Sequence, residues 1–263
     1  MAYDEFIEPI KHGNYTVRLL KNDEELREYK DLRYKHLLLA WNPERALTDP
    51  PGTTDENIGY DADNYQICAF YRDPKTGKEK IVGGYVMMRF KKEDDFCKIL
   101  LKYDMAEFLK KHKFEMLELT RAVIHPEHRD GIVLKMLWLG IITYAKKYNL
   151  QFTVGTMSLV GTDPLKYTLV ASFLHHNLRM SESIMVRPLE GINAYYYDII
   201  PKEKIETFGA LKQMPALMKG FLKMGAEFGD GFYIDYDLKT VEVFAMLDLK
   251  KYEVEKRMLN NLI

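Results

Sequence analysis

A segment near the middle of the chain carries the residues whose types and spacing best fit chemistry. It reads L-E-L-T-R-A-V-I-H-P-E-H-R-D-G-I-V-L-K-M-L from Leu117 to Leu137. This pattern predicts a strand, a short polar loop and a helix that begins directly after the loop. The first turn of a helix leaves backbone amides without partners, and such amides bind phosphate groups together with an arginine. The predicted anion-binding residues are His128, Arg129, Asp130 and Gly131, although a plain strand-to-helix turn has a similar composition.

The strand before this loop carries a carboxylate and a guanidinium, Glu118 and Arg121. A carboxylate at this place is a candidate general base, directly or through water. The two side chains point to opposite faces of an ideal strand unless a bulge intervenes. Both are candidate catalytic residues, and the alternative for Glu118 is a structural ion pair. Backbone amides near residues 122–124 are candidate donors to an oxyanion.

Two further segments are candidates for binding a substrate. Asp61 and Asp63 precede a predicted strand, where they would attract an amino group or simply form a turn. The segment S-L-V-G-T-D-P follows another predicted strand and offers Ser158, Gly161 and Thr162. Its last residues also have the pattern of a helix start, with Thr162 or Asp163 as the cap and Pro164 in the first turn.

The histidines and cysteines do not follow a metal-binding pattern. His125 and His128 are three residues apart, and neither belongs to an H-E-x-x-H motif. Cys68 and Cys97 are too few for a disulfide framework and are not at ligand spacing. We therefore expect no metal site, a reducing compartment, and a buried thiol at Cys68.

Elements that alternate between strands and helices position these residues. Predicted strands lie at 15–20, 65–71, 81–90, 114–124 and 151–158, with weaker ones at 191–199, 231–235 and 241–247. Predicted helices run from Asn22 or Asp23 to about residue 39 and over 105–111, 132–148 and 215–224, and a charged helix ends the chain. Residues 41–60 form a long loop. Antiparallel hairpin strands that lead into a strand–loop–helix–strand unit predict a mixed α/β fold whose sheet is mostly antiparallel and flanked by helices.

Composition limits the functional classes. The chain has 263 residues, 38 basic and 39 acidic, which gives a net charge of −1. This balance supplies no general field for nucleic acid, so we expect no nucleic-acid partner. The chain shows neither an apolar run long enough to span a bilayer nor a signal-peptide pattern at its start, which predicts a cytoplasmic protein. The 14 Met, 18 Tyr and 13 Phe suit either a core or an apolar tunnel.

Four motifs in order carry a resemblance to a known family. The segment E-L-T-R-A-V-I-H-P-E-H-R-D-G is followed by L-W-L-G-I, S-L-V-G-T-D-P and M-P-A-L-M-K-G-F-L-K-M-G-A. Together they resemble the GNAT acyltransferases, and within them the hemolysin-like branch that contains ornithine-lipid N-acyltransferases. The resemblance covers about residues 15–250. It implies one GNAT-like domain over 1–263, with a loose N-terminus at 1–13 and a C-terminal extension from about residue 200.

The resemblance implies an N-acyltransferase without a tightly bound cofactor. The donor would be an acyl-phosphopantetheine, carried by acyl carrier protein rather than CoA, because the H-R-D-G loop is poor in glycine. The acceptor would be the α-amine of a small amino acid such as ornithine or glycine, in the first step of aminolipid synthesis. The alternatives are a CoA-dependent acetyltransferase acting on a small amine and a non-catalytic protein that binds acyl-pantetheine. The 215–224 helix is either an ordinary helix packed on the sheet or a contact site for a partner. In the second case Lys219 and Lys223 would meet an acidic carrier protein or, weakly, a membrane surface.

Overall fold

A computed structural model describes residues 6–55, 64–93 and 95–251. The predicted substrate residues Asp61 and Asp63 and the predicted final helix lie outside the described residues.

The described strands are numbered here in chain order. They are β1 (Ile10–His12), β2 (Tyr15–Leu19), β3 (Tyr65–Arg72), β4 (Glu79–Arg89), β5 (Tyr103–Asp104), β6 (Met116–Ile124), β7 (Phe152–Val160), β8 (Arg187–Pro188), β9 (Ala194–Tyr195), β10 (Glu227–Phe228), β11 (Phe232–Asp235) and β12 (Thr240–Asp248).

The described α-helices are α1 (Asp23–Arg33), α2 (Leu39–Trp41), α3 (Arg45–Thr48), α4 (Ala106–His112), α5 (Ile132–Lys147), α6 (Thr168–Leu178), α7 (Thr207–Gln213) and α8 (Ala216–Met224). A π-helical turn, Tyr34–Leu38, separates α1 from α2. Short 3₁₀ turns lie at Lys98–Leu101, Lys113–Glu115, Pro126–His128, Pro164–Tyr167, Glu182–Ile184 and Lys202–Lys204. No helix within the described ranges is long and apolar enough to cross a membrane.

The chain divides into two compact units. The first contains described residues 6–55, 64–89 and 119–150, and the second contains described residues 90–93, 95–118 and 151–251. Strand β6 changes unit after Glu118, so its first three residues belong to the second unit and the rest to the first.

In the first unit, β1, β2, β3 and β4 form an antiparallel sheet in chain order. The α5 helix packs against β2, β3 and β4, and α1 packs against β4. Because α5 is apolar on several faces, it is largely buried, and Trp138 and Tyr144 are 1% and 0% exposed. Asn22 caps α1 by accepting a hydrogen bond from the amide of Glu25 at 2.9 Å, as the sequence predicts.

In the second unit, the first three residues of β6 pair in parallel with Phe152–Val154 of β7. The β7 strand then pairs antiparallel with β12 over its whole length, and β12 pairs with β10 and β11. Every residue of β12 except Asp248 is buried, on both faces of the strand, which makes this strand the centre of the second core. Mostly antiparallel strands with flanking helices confirm the predicted mixed α/β fold class.

Most predicted elements are confirmed, with differences at three places. The predicted strand at 191–199 is wrong except for Ala194–Tyr195, because Gly191 has a φ of +146° and begins a turn that Ala194 closes by bonding back to it. Residues 10–12, expected in a loose terminus, pair with β2. The long loop after Trp41 contains the short helix α3.

Candidate active site

The loop between β6 and α5 leads directly into the first turn of the helix, as predicted. Gly131 has a φ of +94°, a left-handed conformation that other residues adopt only with strain, and α5 begins at the next residue. The Asp130 carboxylate accepts a hydrogen bond from the amide of Ile132 at 2.9 Å. The helical ladder starts with Lys135 donating to Gly131 at 3.1 Å, so the amides of Val133 and Leu134 have no helical acceptor. Val133 is 0% exposed and Leu134 is half-buried, so the Leu134 amide is the one of the two that remains for an external anion.

Arg129 lies beside these amides and is exposed. Its Nε donates a hydrogen bond to the carbonyl oxygen of Ile124 at 2.9 Å, which folds the side chain back over the loop. This bond restrains the guanidinium while its terminal nitrogens keep their capacity to donate to a phosphate.

His128 holds the loop against β2 through a hydrogen bond to Tyr15. The side chain is buried, and the Tyr15 hydroxyl lies 2.9 Å from its Nδ1. Burial, followed by the charges of Lys80 and His125, lowers the pKa of His128. A neutral, buried imidazole contributes packing and a hydrogen bond to the loop, and contact with a phosphate stays a prediction for this residue.

His125, Glu127 and His128 bring possible metal-ligand atoms within 4.8 Å of one another. The Nδ1 atom of His125 also accepts a hydrogen bond from the amide of Glu127 at 3.4 Å. The Nδ1 atom of His128 is hydrogen-bonded to the Tyr15 hydroxyl. The 3₁₀ turn at Pro126–His128 brings these groups together by itself, so the grouping needs no metal to explain it.

Arg121 is the most unusual residue of β6. Its φ of +55° places a residue with a Cβ in the left-handed region, inside a strand. Its carbonyl accepts a hydrogen bond from the hydroxyl of buried Tyr29 at 2.9 Å. Its Nε lies 2.9 Å from Asp55 Oδ2, and the same oxygen lies 3.0 Å from Nε of Arg33. The bulge that the sequence analysis allowed for in this strand stays a prediction.

Sequence reasoning missed Arg33 and Asp55. They lie 22 residues apart in the chain, and each looks like an ordinary helix or loop residue. The signal available was the long loop after Trp41, which fastens onto the sheet through Asp55. Contacts at such separations depend on the tertiary fold and cannot be read from local patterns.

Glu118 is 3% exposed and accepts two backbone hydrogen bonds. The amides of Lys98 and Ile99 donate to its two carboxylate oxygens at 3.1 Å each. These bonds hold the start of the 3₁₀ turn Lys98–Leu101. Burial, followed by the charge of Glu118, raises the pKa of the neighbouring Cys97 thiol, which is therefore uncharged at neutral pH.

The predicted substrate segment lies at the end of β7. Ser158 pairs with Glu242 of β12, and Gly161 has a φ of +96° and donates to the carbonyl of Lys239 at 2.8 Å. Thr162 follows in the same turn, and the Asp163 carboxylate caps the 3₁₀ turn Pro164–Tyr167 through the amide of Leu165. The helix start predicted here is confirmed, whereas substrate binding by this segment stays a prediction.

A buried ion cluster beside Ser158 was not predicted. Lys102 Nζ lies 2.8 Å from both Asp235 Oδ2 and Glu242 Oε2. Burial acts against the charge of Lys102, but Glu242 and Asp235 outweigh it and raise the lysine pKa. The cluster links β11, β12 and the segment before β5.

A family model and a solved structure identify the broad class of the protein. Residues 31–139 match the family model described as the acetyltransferase (GNAT) domain. The solved structure of the CoA-dependent acyl-homoserine lactone synthase BjaI with MTA has a TM-score of 0.50 and 10% sequence identity to this chain. The match covers 91% of this chain and 82% of that chain. At this identity the likeness concerns the fold alone.

Relatives of similar length give the particular family. The L-ornithine N(alpha)-acyltransferase of Brucella abortus (strain 2308) is 34% identical over 91% of this chain and 86% of the relative. The protein of that name from Agrobacterium fabrum (strain C58 / ATCC 33970) is 30% identical over 89% of this chain and 81% of the relative. The chain therefore belongs to the L-ornithine N(alpha)-acyltransferase family and is an N-acyltransferase, as the resemblance implied.

Proposed function

We propose that this enzyme transfers a long fatty acyl chain, with or without a 3-hydroxyl group, from acyl carrier protein to the α-amine of L-ornithine. The product would be the first intermediate of an ornithine aminolipid. The likeness over most of the chain to proteins named L-ornithine N(alpha)-acyltransferase carries this proposal. The first turn of α5 and exposed Arg129, which lies shortly before it in the chain, support it, because they offer an anion site for a phosphopantetheine arm.

The proposed reaction needs no covalent enzyme intermediate. The amine nitrogen attacks the thioester carbonyl, a carbon–nitrogen bond forms, and the carbon–sulfur bond breaks. The amine loses a proton to a base, and the departing thiolate takes up a proton. The protein contributes by holding the donor arm, orienting the amine and stabilising the oxyanion.

The donor arm would lie at the first turn of α5. The amide of Leu134, with Arg129, would bind the phosphate, while the Ile132 amide donates to Asp130. One phosphodiester suits a site with one arginine and one open amide. We therefore favour acyl carrier protein over CoA, whose additional phosphates have no further cation on this loop.

Glu118 and Arg121 are the proposed catalytic residues. Glu118 would take the amine proton directly or through water, while the amides of Lys98 and Ile99 hold its carboxylate in place. These amides also make a purely structural role possible for Glu118. Glycine is the alternative acceptor. The proposal also assigns acceptor binding to Asp61, Asp63, Ser158, Gly161 and Thr162.

We further propose a cytoplasmic enzyme with at most a weak membrane contact. The α8 helix would supply that contact through Lys219 and Lys223, but Met218 and Phe221 on its apolar face are buried in the protein. A small basic patch of this kind binds anionic lipid weakly and loses the contact in salt.

The test is a thiol-release assay with purified enzyme. A C16 acyl chain is presented on acyl carrier protein and on CoA, with each amino acid in turn as the acceptor. We expect thiol release with ornithine and the carrier protein, and about a tenfold to hundredfold loss in Arg129→Ala. Arg27→Ala, an exposed arginine on α1, is the matched control and should keep full activity. An enzyme that releases thiol from neither donor with any amino acid would refute the proposal.

A further inference from the structure

We infer that Arg121 binds the α-carboxylate of the acceptor amino acid and that Asp55 and Arg33 hold it in position. This inference rests on the proposed function in one respect, namely that the acceptor is an amino acid. It assigns the carboxylate, rather than an amino group, as the feature of the acceptor that this part of the enzyme reads.

The first observation is how firmly Arg121 is held. Its Nε is 2.9 Å from Asp55 Oδ2, and its carbonyl receives the Tyr29 hydroxyl at 2.9 Å. Asp55 is itself fixed, because Arg33 contacts its side chain at 3.0 Å and donates from Nη2 to its backbone carbonyl at 2.6 Å. Arg121 is therefore held at its backbone by a hydrogen bond and at its guanidinium by an ion-pair contact, an arrangement suited to a preorganised binding group.

The second observation is the difference in exposure within this cluster. Arg33 and Asp55 have 0% and 5% of their side chains exposed, whereas Arg121 has 21%. Arg121 is the member that a solute can reach. The structure anchors it through Nε, and within the described residues its two terminal nitrogens have no recorded acceptor. Those two nitrogens form the planar pair that matches a carboxylate.

The third observation is the sharing of one carboxylate. Asp55 Oδ2 lies within 3.0 Å of both Arg33 and Arg121, so its single negative charge is divided between two guanidiniums. Two carboxylates of α1 are occupied elsewhere, since Glu25 pairs with Arg18 at 2.8 Å and Glu28 accepts the Ile81 amide at 2.7 Å. A further carboxylate would therefore be attracted to Arg121.

The backbone conformation directs this group. The left-handed φ of +55° turns Arg121 out of the regular alternation of β6. Such strain is kept in proteins where the surrounding contacts enforce it, and the Tyr29 and Asp55 contacts do so here.

Binding of the carboxylate by Arg121 explains why the α-amine of ornithine is acylated and the side-chain amine is not. Ornithine has an α-amine and a side-chain amine, and only the α-amine is attached to the carbon that carries the carboxylate. A guanidinium that grips the carboxylate therefore fixes the α-nitrogen at the reacting place and leaves the other amine several bonds away. Selection of the α-amine follows from binding geometry rather than from a difference in amine basicity.

The experiment compares L-ornithine with L-ornithinamide, in which the carboxylate is neutral. Acyl transfer and calorimetric binding are measured for wild type, Arg121→Gln, Arg121→Lys and Asp55→Asn, with folding checked by circular dichroism. We expect wild type to prefer ornithine by about 100-fold in kcat/KM and Arg121→Gln to lose that preference. Arg121→Lys should keep part of it, and Asp55→Asn should raise KM for ornithine more than it lowers kcat. Arg18→Gln, a matched half-buried arginine, should behave like wild type.

The outcomes separate this inference from the proposed function. Wild type that acylates both acceptors equally well overturns the carboxylate site and leaves the acyltransferase proposal standing. Variants that slow both acceptors by the same factor, with the preference intact, also overturn it. Wild type that transfers to no amino acid refutes the proposed function, and calorimetry then decides alone. Binding of ornithine but not ornithinamide, lost in Arg121→Gln, supports the site, and equal or absent binding overturns it.

Discussion

At the scale of single residues, Glu118 presents two readings that one variant separates. Its two carboxylate oxygens accept the amides of Lys98 and Ile99 from inside the protein. We expect Glu118→Gln to lower the free energy of unfolding by about 2 kcal/mol, because the new NH₂ group faces an amide donor. Denaturant titration checks this, with Glu107→Gln on the exposed face of α4 as the control.

The same variant tests catalysis. If Glu118 is the general base, the folded Glu118→Gln enzyme loses about 100-fold or more in kcat. If Glu118→Gln is as stable as Glu107→Gln, the role of Glu118 in holding the Lys98 and Ile99 amides is contradicted. If Glu118→Gln keeps a normal kcat per folded molecule, its role as the general base is contradicted.

His128 gives a pH-dependent prediction. Its pKa is lowered by burial and by Lys80 and His125, so the unfolded chain binds its proton more readily than the folded one. Its contribution to stability is present above the ordinary histidine pKa and is lost as pH falls through the lower, folded value. We expect the melting temperature to decrease from pH 7.5 to 5.5, and to decrease less in His128→Gln.

His36 acts in the same direction, since burial, His125 and Arg129 lower its pKa. The control is His12→Gln on exposed β1, which should keep the wild-type slope. If the melting temperature of His128→Gln depends on pH as steeply as that of wild type, the folded state does not lower the pKa of His128.

At the scale of elements, the loop before α5 depends on the conformation of Gly131. An added Cβ at Gly131 meets no atom within 4 Å, so only the left-handed backbone opposes a substitution. We expect Gly131→Ala to cost about 1 kcal/mol in stability and to raise KM for the acyl donor severalfold, because the open amide shifts.

Gly77 provides the matched control. It has a φ of +70°, lies in the β3–β4 turn, and also has no atom within 4 Å of an added Cβ. Gly77→Ala should cost a similar amount of stability, measured by denaturant titration, with an unchanged donor KM. Equal donor KM values in both variants would argue against an anion site at α5.

At the scale of the whole molecule, the elements that follow from local patterns are the ones predicted from sequence. The Asn22 cap, the β3–β4 hairpin and α5 depend on neighbouring residues, and all three are confirmed.

What sequence could not provide depends on distant contacts. The left-handed conformation of Arg121 is maintained by Tyr29 and Asp55, which are far away in the chain. The second charged cluster joins Lys102 to Asp235 and Glu242. The expected strand at 191–199 shrinks to Ala194–Tyr195, because β-rich composition there competes with glycine turns.

The most direct test of the central claim is mass spectrometry of lipids from cells that overproduce the enzyme. We predict a new N-acylated ornithine with the chain on the α-nitrogen, strongly reduced in cells that produce Arg129→Ala and unchanged with Arg27→Ala. No new acylated amino acid in cells with soluble, folded wild-type protein, or equal amounts with Arg129→Ala, would contradict the account.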